Sequence, residues 1–147
     1  MLKSLIQKTV VAVNGSEQSL RAAMYAIMYS KQYDCELKAI YVVDSATIKQ
    51  LELSKFFIPE ESERYVKNLT SDGERYLSYV KRLADEKKVK IEIELRTGAV
   101  WSELIKASEE YDADLIFLGG RKIENTSMSI TLKHDKISST NSEIIGI

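Results

Sequence analysis

The chain has 147 residues, the usual size of one domain with its own core, and its 44% hydrophobic and 29% charged residues are typical of a globular protein and exclude a disordered one. Its net charge is −1, from 21 basic and 22 acidic residues scattered along the chain, so the basic stripe typical of nucleic-acid-binding proteins is missing. No apolar run approaches the roughly 18 residues of a membrane helix, and residues 1–8 are not apolar enough for a secretion signal. We therefore expect a single cytoplasmic domain over residues 1–147, with no nucleic-acid or membrane partner.

The first predicted elements are a strand at 9–13 and a helix from the turn at Ser16 to about Gln32. The strand is an unbroken apolar run, which is typical of a parallel sheet covered on both faces. Ser16 can cap the helix, because a serine hydroxyl accepts a hydrogen bond from a free amide of the first turn. Helical spacing predicts that the helix packs through one face: Leu20, Ala23, Met24, Ile27 and Lys31.

A second apolar strand is predicted at 37–43, followed by an irregular segment over 44–59 and a long helix over about 60–88. Gly73 lies on the apolar stripe of that helix, where glycine costs about 1 kcal/mol of helix propensity relative to alanine. We expect this cost to be offset by a close approach of the helix to the sheet.

The third predicted strand, 89–95, alternates apolar with charged residues, so we expect one wet face and a position at the edge of the sheet. A helix follows over 99–111, then a fully apolar and therefore central strand at 115–118. A short helix over about 131–138 and a last strand at 143–147 complete the chain.

This alternation of strands and helices predicts a doubly wound α/β fold: a five-stranded parallel sheet in the order 3-2-1-4-5, with helices on both faces. Ligands of such sheets bind in a crevice at the carboxyl ends of the first and fourth strands. Here the crevice is lined by residues 13–16 and 118–121, and glycines in both loops let backbone amides approach a phosphate. A glycine at a strand end is equally the ordinary mark of a turn.

The motifs of several well-known sites are missing. Neither GxxxxGK[ST] nor GxGxxG occurs, which excludes a P-loop and the dinucleotide fingerprint. The only cysteine, Cys35, and the only histidine, His134, cannot supply a zinc site. His134 lies in a polar stretch and is expected at the surface, whereas Cys35 heads an apolar strand and is expected to be buried. We therefore predict no metal site and no catalytic residues.

Residues 10–19 (VVAVNGSEQS) are similar to an opening, VAVDGSE-x-S, that is frequent in the universal stress protein family, and the chain resembles that family. Residues 22–27, 37–44 (LKAIYVVD) and 113–119 (ADLIFLG) also resemble their counterparts, so the likeness extends over most of the chain, to about Gly120.

The resemblance implies a candidate nucleotide site. Many family members bind ATP through a pattern of glycine, two residues, glycine, nine residues, then glycine with serine or threonine. Gly119 matches the first glycine, Lys122 replaces the second, and Ile130-Thr131 is the nearest match to the final pair. The site inferred from the resemblance comprises Ala12, Val13, Asn14, Val42, Leu118, Gly119, Gly120, Lys122 and Thr131.

Two functions follow from the resemblance. With two of the three glycines replaced, the chain resembles the branch of the family that does not bind ATP. This resemblance implies a regulatory or interaction module in a stress response, with no cofactor. The alternative is an ATP- or AMP-binding sensor, with at most slow ATP hydrolysis as enzymatic activity. We expect a homodimer through the C-terminal strand, because an apolar edge over 143–147 would otherwise stay open and family members commonly pair there.

Overall fold

The computed structural model describes residues 5–120, 129–131 and 143–146. In chain order these residues form β1 (Lys8–Val13), α1 (Glu17–Tyr33), β2 (Glu36–Asp44), α2 (Ser45–Leu53), α3 (Pro59–Glu86), β3 (Ile91–Gly98), α4 (Val100–Glu110), β4 (Leu115–Leu118), β5 (Ser129–Thr131) and β6 (Glu143–Gly146).

The strands form one sheet in the order β3-β2-β1-β4-β6-β5. The predicted order 3-2-1-4 of the first four strands is confirmed, and so is the position of the alternating strand β3 at an edge. The predicted last strand is β6, which pairs with β4 in the parallel sense as expected, but the prediction of five strands and a fully parallel sheet is wrong, because β5 adds a sixth strand that pairs with β6 in the antiparallel sense. β5 has only three residues and one apolar side chain, Ile130, so neither a continuous nor an alternating apolar pattern marks it.

Helices cover both faces of the sheet. On one face, α1 and α3 pack through small and aliphatic residues onto the buried side chains of β1, β2 and β4, including Val11, Leu37 and Phe117. On the other face, α4 packs through Leu104 and Ala107 onto Val10, Ile40 and Ile116. Because β3 alternates, Ile91 and Leu95 pack against the first cluster while Glu94 and Arg96 face the side of α4.

The buried face of α1 is rotated by about one residue from the predicted one. Ala23 and Ile27 are buried as predicted, but Ala22, Ala26 and Ser30 are buried as well, and Met24 is half exposed. Small side chains let the helix axis lie close to the sheet. A search for large apolar side chains at helical spacing does not identify such a face.

Gly73 provides the predicted close approach of α3 to the sheet. A Cβ atom at this position would lie 2.7 Å from Cδ1 of Tyr41 and 2.9 Å from Cδ1 of Leu95. Any side chain at this position would require Tyr41 and Leu95 to shift beneath the helix.

Two other predicted segments need correction. Residues 44–59 are not wholly irregular, because Ser45–Leu53 forms α2, in which Ile48 is the one buried residue and Asp44 caps the first turn through a hydrogen bond from the Thr47 amide (3.1 Å). A helix with so little buried surface has no apolar stripe to reveal it. The short helix predicted over about 131–138 falls mostly outside the described residues, and its first residue, Thr131, belongs to β5.

Candidate functional site

The candidate site is the crevice at the carboxyl ends of β1 and β4, which are adjacent and parallel. Ala12 on β1 is in register with Leu118 on β4. Val42 follows on β2, two residues beyond Ile40, which is in register with Ala12. All three side chains are half-buried and pack against the cluster beneath α4, so the sheet brings Ala12, Val42 and Leu118 together as an apolar floor.

Val13 does not join this floor. Its side chain is 3% exposed and lies in the cluster beneath α1 and α3, on the opposite face of the sheet. Only its backbone can therefore face a molecule bound over Ala12.

The loop that follows β1 is held by its own hydrogen bonds. Oδ1 of Asn14 accepts a hydrogen bond from the Ser16 amide (2.9 Å), and the Asn14 amide donates to Oγ of Ser19 (3.1 Å). The Ser19 amide donates to Oγ of Ser16 (3.1 Å), which caps α1 as predicted, and Gly15 has the left-handed φ of 82° that the turn requires. The side-chain oxygen of Asn14 thus stabilises the loop by accepting a hydrogen bond from within it.

Tyr76 of α3 also reaches this loop, a connection that the sequence did not predict. Its hydroxyl lies 3.3 Å from Oγ of Ser19 and 3.5 Å from the carbonyl oxygen of Ser16. The contact joins positions 57 and 60 residues apart, so no local pattern could have identified it.

Gly119 is required by packing at the end of β4. A Cβ atom there would lie 2.5 Å from the backbone carbonyl carbon and oxygen of Gln18 and 2.6 Å from the amide nitrogen of Ser19. The end of β4 therefore presses against the backbone of the first turn of α1, which explains this glycine without any phosphate. Gly120 follows it and is half-buried.

Two predicted phosphate-site residues remain, Lys122 and Thr131. Lys122 lies outside the described residues. Thr131 lies on β5 in register with Ile144 of β6, which is itself in register with Ile116 of β4. Two strand spacings of about 4.8 Å each separate Thr131 from β4, so the structure does not bring it to the end of that strand.

A charged cluster borders the apolar floor on the side of β3. Arg96, in register with Val42, donates from Nη1 to Glu94 (2.7 Å) and to Glu110 (3.1 Å) and from Nε to Glu103 (2.9 Å). These carboxylates, Glu94 first, raise the pKa of the Arg96 guanidinium. Burial alone would raise the pKa of Glu94, but hydrogen bonds from Lys38 and Arg96 hold it below its ordinary value. The cluster ties α4 to the edge strand.

No metal-binding cluster is found in the part of the chain that the structure describes. There, no three His, Cys, Asp or Glu side chains are grouped to hold a metal ion. Cys35 is buried as predicted, its Sγ donates to the carbonyl oxygen of Ile6 (3.3 Å), and burial raises the pKa of the thiol. His134 lies outside the described residues.

An open cleft of about 690 Å³ lies elsewhere, at the amino edge of the sheet between the ends of α1 and α3. Asp34, Lys88 and Tyr111 line it, and none of the predicted site residues does. Over residues 5–120, 129–131 and 143–146, no helix is both long and apolar enough to cross a membrane.

The fold and crevice define a class: a doubly wound α/β domain with an apolar floor and a glycine turn at its switch point. The model of the Universal stress protein family matches residues 6–131, and the chain belongs to that family.

Similar proteins agree with this assignment. A universal stress protein of Methanocaldococcus jannaschii is 36% identical over 119 residues, which cover 80% of this chain and 66% of that protein, slightly less than two thirds of its length. Among solved structures, universal stress protein UspA from Lactobacillus plantarum has a TM-score of 0.74 at 14% identity, covering 98% of this chain and 99% of that chain. A universal stress protein family member from Arabidopsis thaliana, solved with AMP bound, has a TM-score of 0.64 at 16% identity, covering 96% and 90% of the two chains. At these identities the two solved structures support the fold alone.

Proposed function

We propose that this chain is a cytoplasmic regulatory or interaction module of a stress response that acts without tightly bound nucleotide. The observation that carries the proposal is that the end of β4 has few of the residues predicted to hold phosphate. Of the residues predicted to hold phosphate, Gly119 and Gly120 lie at the end of β4, and the packing of Gly119 against α1 accounts for its lack of a side chain. Thr131 lies two strands away from β4.

The sequence supports the same proposal. A triphosphate lies against bare backbone, so a lysine at position 122 in place of glycine adds a side chain where the phosphates would approach. Lys122 can offer a point charge in exchange, but that charge does not restore the close approach of the phosphates to the backbone.

A second function, an AMP- or ATP-binding sensor, is favoured by the apolar floor. Ala12, Val42 and Leu118 offer a half-buried apolar surface of the kind on which a planar base can lie. The family member from Arabidopsis thaliana, solved with AMP bound, supports this alternative. A monophosphate needs fewer backbone donors than a triphosphate. A site with only Gly119 and Gly120 at the end of β4 therefore suits AMP better than ATP.

Mass spectrometry of the small molecules released when the purified protein is denatured separates the two functions. The proposal predicts no adenine nucleotide above a few per cent of the protein. AMP or ATP released at close to one molecule per chain would establish the sensor instead. A protein preparation denatured after prior unfolding and dialysis serves as the control for nucleotide carried over from the cell.

We also propose a homodimer at the C-terminal end of the sheet, although the strand at its open edge is not the one that the sequence predicted. β6 has β4 on one side and β5 on the other, so the open edge of this end of the sheet belongs to β5 and not to β6. Pairing of two chains here would use the three residues of β5. Light scattering of wild type and of Ile130→Asp on β5 tests it, since loss of the dimer in the variant is expected and an unchanged dimer contradicts this interface.

A further inference from the structure

The cleft at the amino edge of the sheet has the size of a small-molecule site. Its volume of about 690 Å³ lies within the roughly 300–1,000 Å³ of pockets that hold small ligands. The ends of α1, α3 and α4 and the starts of β2 and β3 line it. The crevice described above lies at the carboxyl edge, so a ligand of this cleft needs none of the residues predicted to hold a nucleotide.

The two helices that border the cleft end in the same way. Asp34 after α1 and Lys88 after α3 have left-handed φ values of 55° and 61°. In each case the next amide along the chain donates back to the last turn, to the carbonyl oxygen of Ser30 (3.1 Å) and of Ala84 (2.9 Å). These are the hydrogen bonds of a Schellman ending. The backbone that carries Asp34 and Lys88 is therefore fixed on both sides of the cleft.

Charges of both signs line the cleft without pairing to one another. Four lysines and four acidic residues contribute to it, and all eight are exposed. Among these described residues, no lysine nitrogen lies within 4.0 Å of a carboxylate oxygen of the same cleft. Lys81 and Asp85 lie one turn apart on α3, a spacing at which opposite charges commonly meet, and they too stay apart. Both signs are therefore free to contact a ligand.

The deep part of the cleft carries no charge. The buried residues that line it are Ser30, Cys35, Leu37 and Val89. Tyr111 adds a half-buried ring, with Nζ of Lys8 5.1 Å and Nζ of Lys38 5.2 Å from its centroid. These cation–π contacts hold the ring in place. An uncharged middle portion of a ligand can lie here while its charged ends reach the exposed border.

We propose that this cleft binds a short zwitterionic peptide, with the ammonium group of the peptide toward the acidic residues and its carboxylate toward the lysines. An anion alone would also meet the four acidic residues, and a cation alone would also meet the four lysines. Because the opposite charges of the cleft stand apart, a ligand whose own charges are separated, as at the two ends of a peptide, suits it better than a single amino acid. The inference goes beyond the proposed function and does not depend on nucleotide.

Heteronuclear NMR titration of the full-length protein with triglycine tests the charge requirement. Triglycine carries both charges at neutral pH, whereas N-acetyl-triglycine lacks the ammonium group and triglycine amide lacks the carboxylate. Triglycine is expected to shift the backbone amide signals of Cys35, Leu37 and Val89, with a dissociation constant of about 1 mM or tighter. Each blocked peptide is expected to bind about tenfold more weakly or less, because one end finds no partner of opposite sign.

A matched pair of double variants on α3 tests the location. Lys81→Gln with Asp85→Asn removes one charge of each sign from the cleft and should weaken triglycine binding about tenfold. Glu63→Gln with Lys67→Gln removes an exposed pair at the same spacing outside the cleft and should leave binding unchanged. Circular dichroism establishes that both variants have the wild-type helix content.

Three results would overturn the proposal. These are wild-type amide signals that do not move up to about 10 mM triglycine, blocked peptides that bind as tightly as triglycine, and a Lys81→Gln, Asp85→Asn protein that binds as tightly as the Glu63→Gln, Lys67→Gln control. None of them alters the nucleotide content of the protein, so the proposed lack of tight nucleotide binding is judged separately.

Discussion

At the scale of single residues, Ser62 is the buried side chain whose polar atom has no hydrogen-bond partner within the described residues. Its hydroxyl lost its water on folding and gained nothing in return, which costs on the order of 1–3 kcal/mol. Ser62→Ala should therefore raise the free energy of unfolding by about 1 kcal/mol, with help from the higher helix propensity of alanine. Urea denaturation measures this.

Ser19 provides the matched control for that substitution. It is equally buried, but its hydroxyl accepts from the Asn14 amide and donates to the Ser16 carbonyl oxygen. Ser19→Ala should lower stability by about 1–2 kcal/mol. If both variants changed stability in the same direction, the hydrogen bonds would not be what distinguishes the two serines.

Gly119 allows a test of why that position is glycine. If packing requires it, Gly119→Ala destabilises the protein with no ligand present, by about 2 kcal/mol or more, because the new Cβ atom meets the backbone of Gln18 and Ser19. Gly73→Ala should cost less, since there the Cβ atom meets the side chains of Tyr41 and Leu95, which can shift, and alanine favours the helix. A Gly119→Ala protein as stable as wild type would leave phosphate binding as the reason for this glycine.

At the scale of elements, the charged cluster around Arg96 fixes α4 to the edge strand β3. The pKa of Glu94 is below its ordinary value, so Glu94 contributes stability that is fully present above the unfolded-state pKa of about 4.5 and is lost as the pH falls through the folded-state pKa. Glu94→Gln should lower the free energy of unfolding by about 1–2 kcal/mol at pH 7, and the difference from wild type should shrink below about pH 4.5.

Glu17→Gln is the control for this prediction. Glu17 pairs with Arg21 on the exposed surface of α1, at 3.1 Å, and such pairs contribute about 0.5 kcal/mol or less. A Glu94→Gln variant with the same small effect as Glu17→Gln, or with a difference that does not depend on pH, would show that the cluster does not hold α4.

The elements also show where sequence patterns are informative. β1, β2 and β4 are mainly apolar runs and β3 alternates. Their central and edge positions could therefore be predicted from the pattern of apolar residues alone. α2 could not, because it buries only Ile48, and β5 could not, because it has a single apolar residue. The face of α1 was predicted correctly at Ala23 and Ile27 and wrongly at Met24, because alanine and serine make much of the contact with the sheet.

At the scale of the whole molecule, some residues of the candidate site could be predicted from the sequence and others could not. Ala12, Val42, Leu118 and Gly119 were predicted from resemblance and parallel-sheet topology, and the register of the strands brings them to one edge. Tyr76 and Arg96 meet the crevice only through tertiary contacts between distant segments, which no local pattern encodes. Thr131 was assigned by counting along the chain, and its strand pairing moves it away from β4.

We infer that the crevice of this universal stress protein does not hold ATP tightly. Side chains at two glycine positions block the approach of the phosphates to the backbone, and each hydrogen bond to a charged phosphate lost in this way is worth about 1.5–3 kcal/mol, which together corresponds to roughly two to four decades in affinity. Titration calorimetry of the wild type with Mg-ATP is the most direct test, with Lys122→Gly, alone and with Ile130→Gly, as the variants in which the glycines return. We predict a wild-type dissociation constant of about 1 mM or weaker, and tighter binding when Lys122 becomes glycine. A wild-type dissociation constant of tens of micromolar or tighter would contradict the claim and show that Gly119, Gly120 and Lys122 form a working phosphate site.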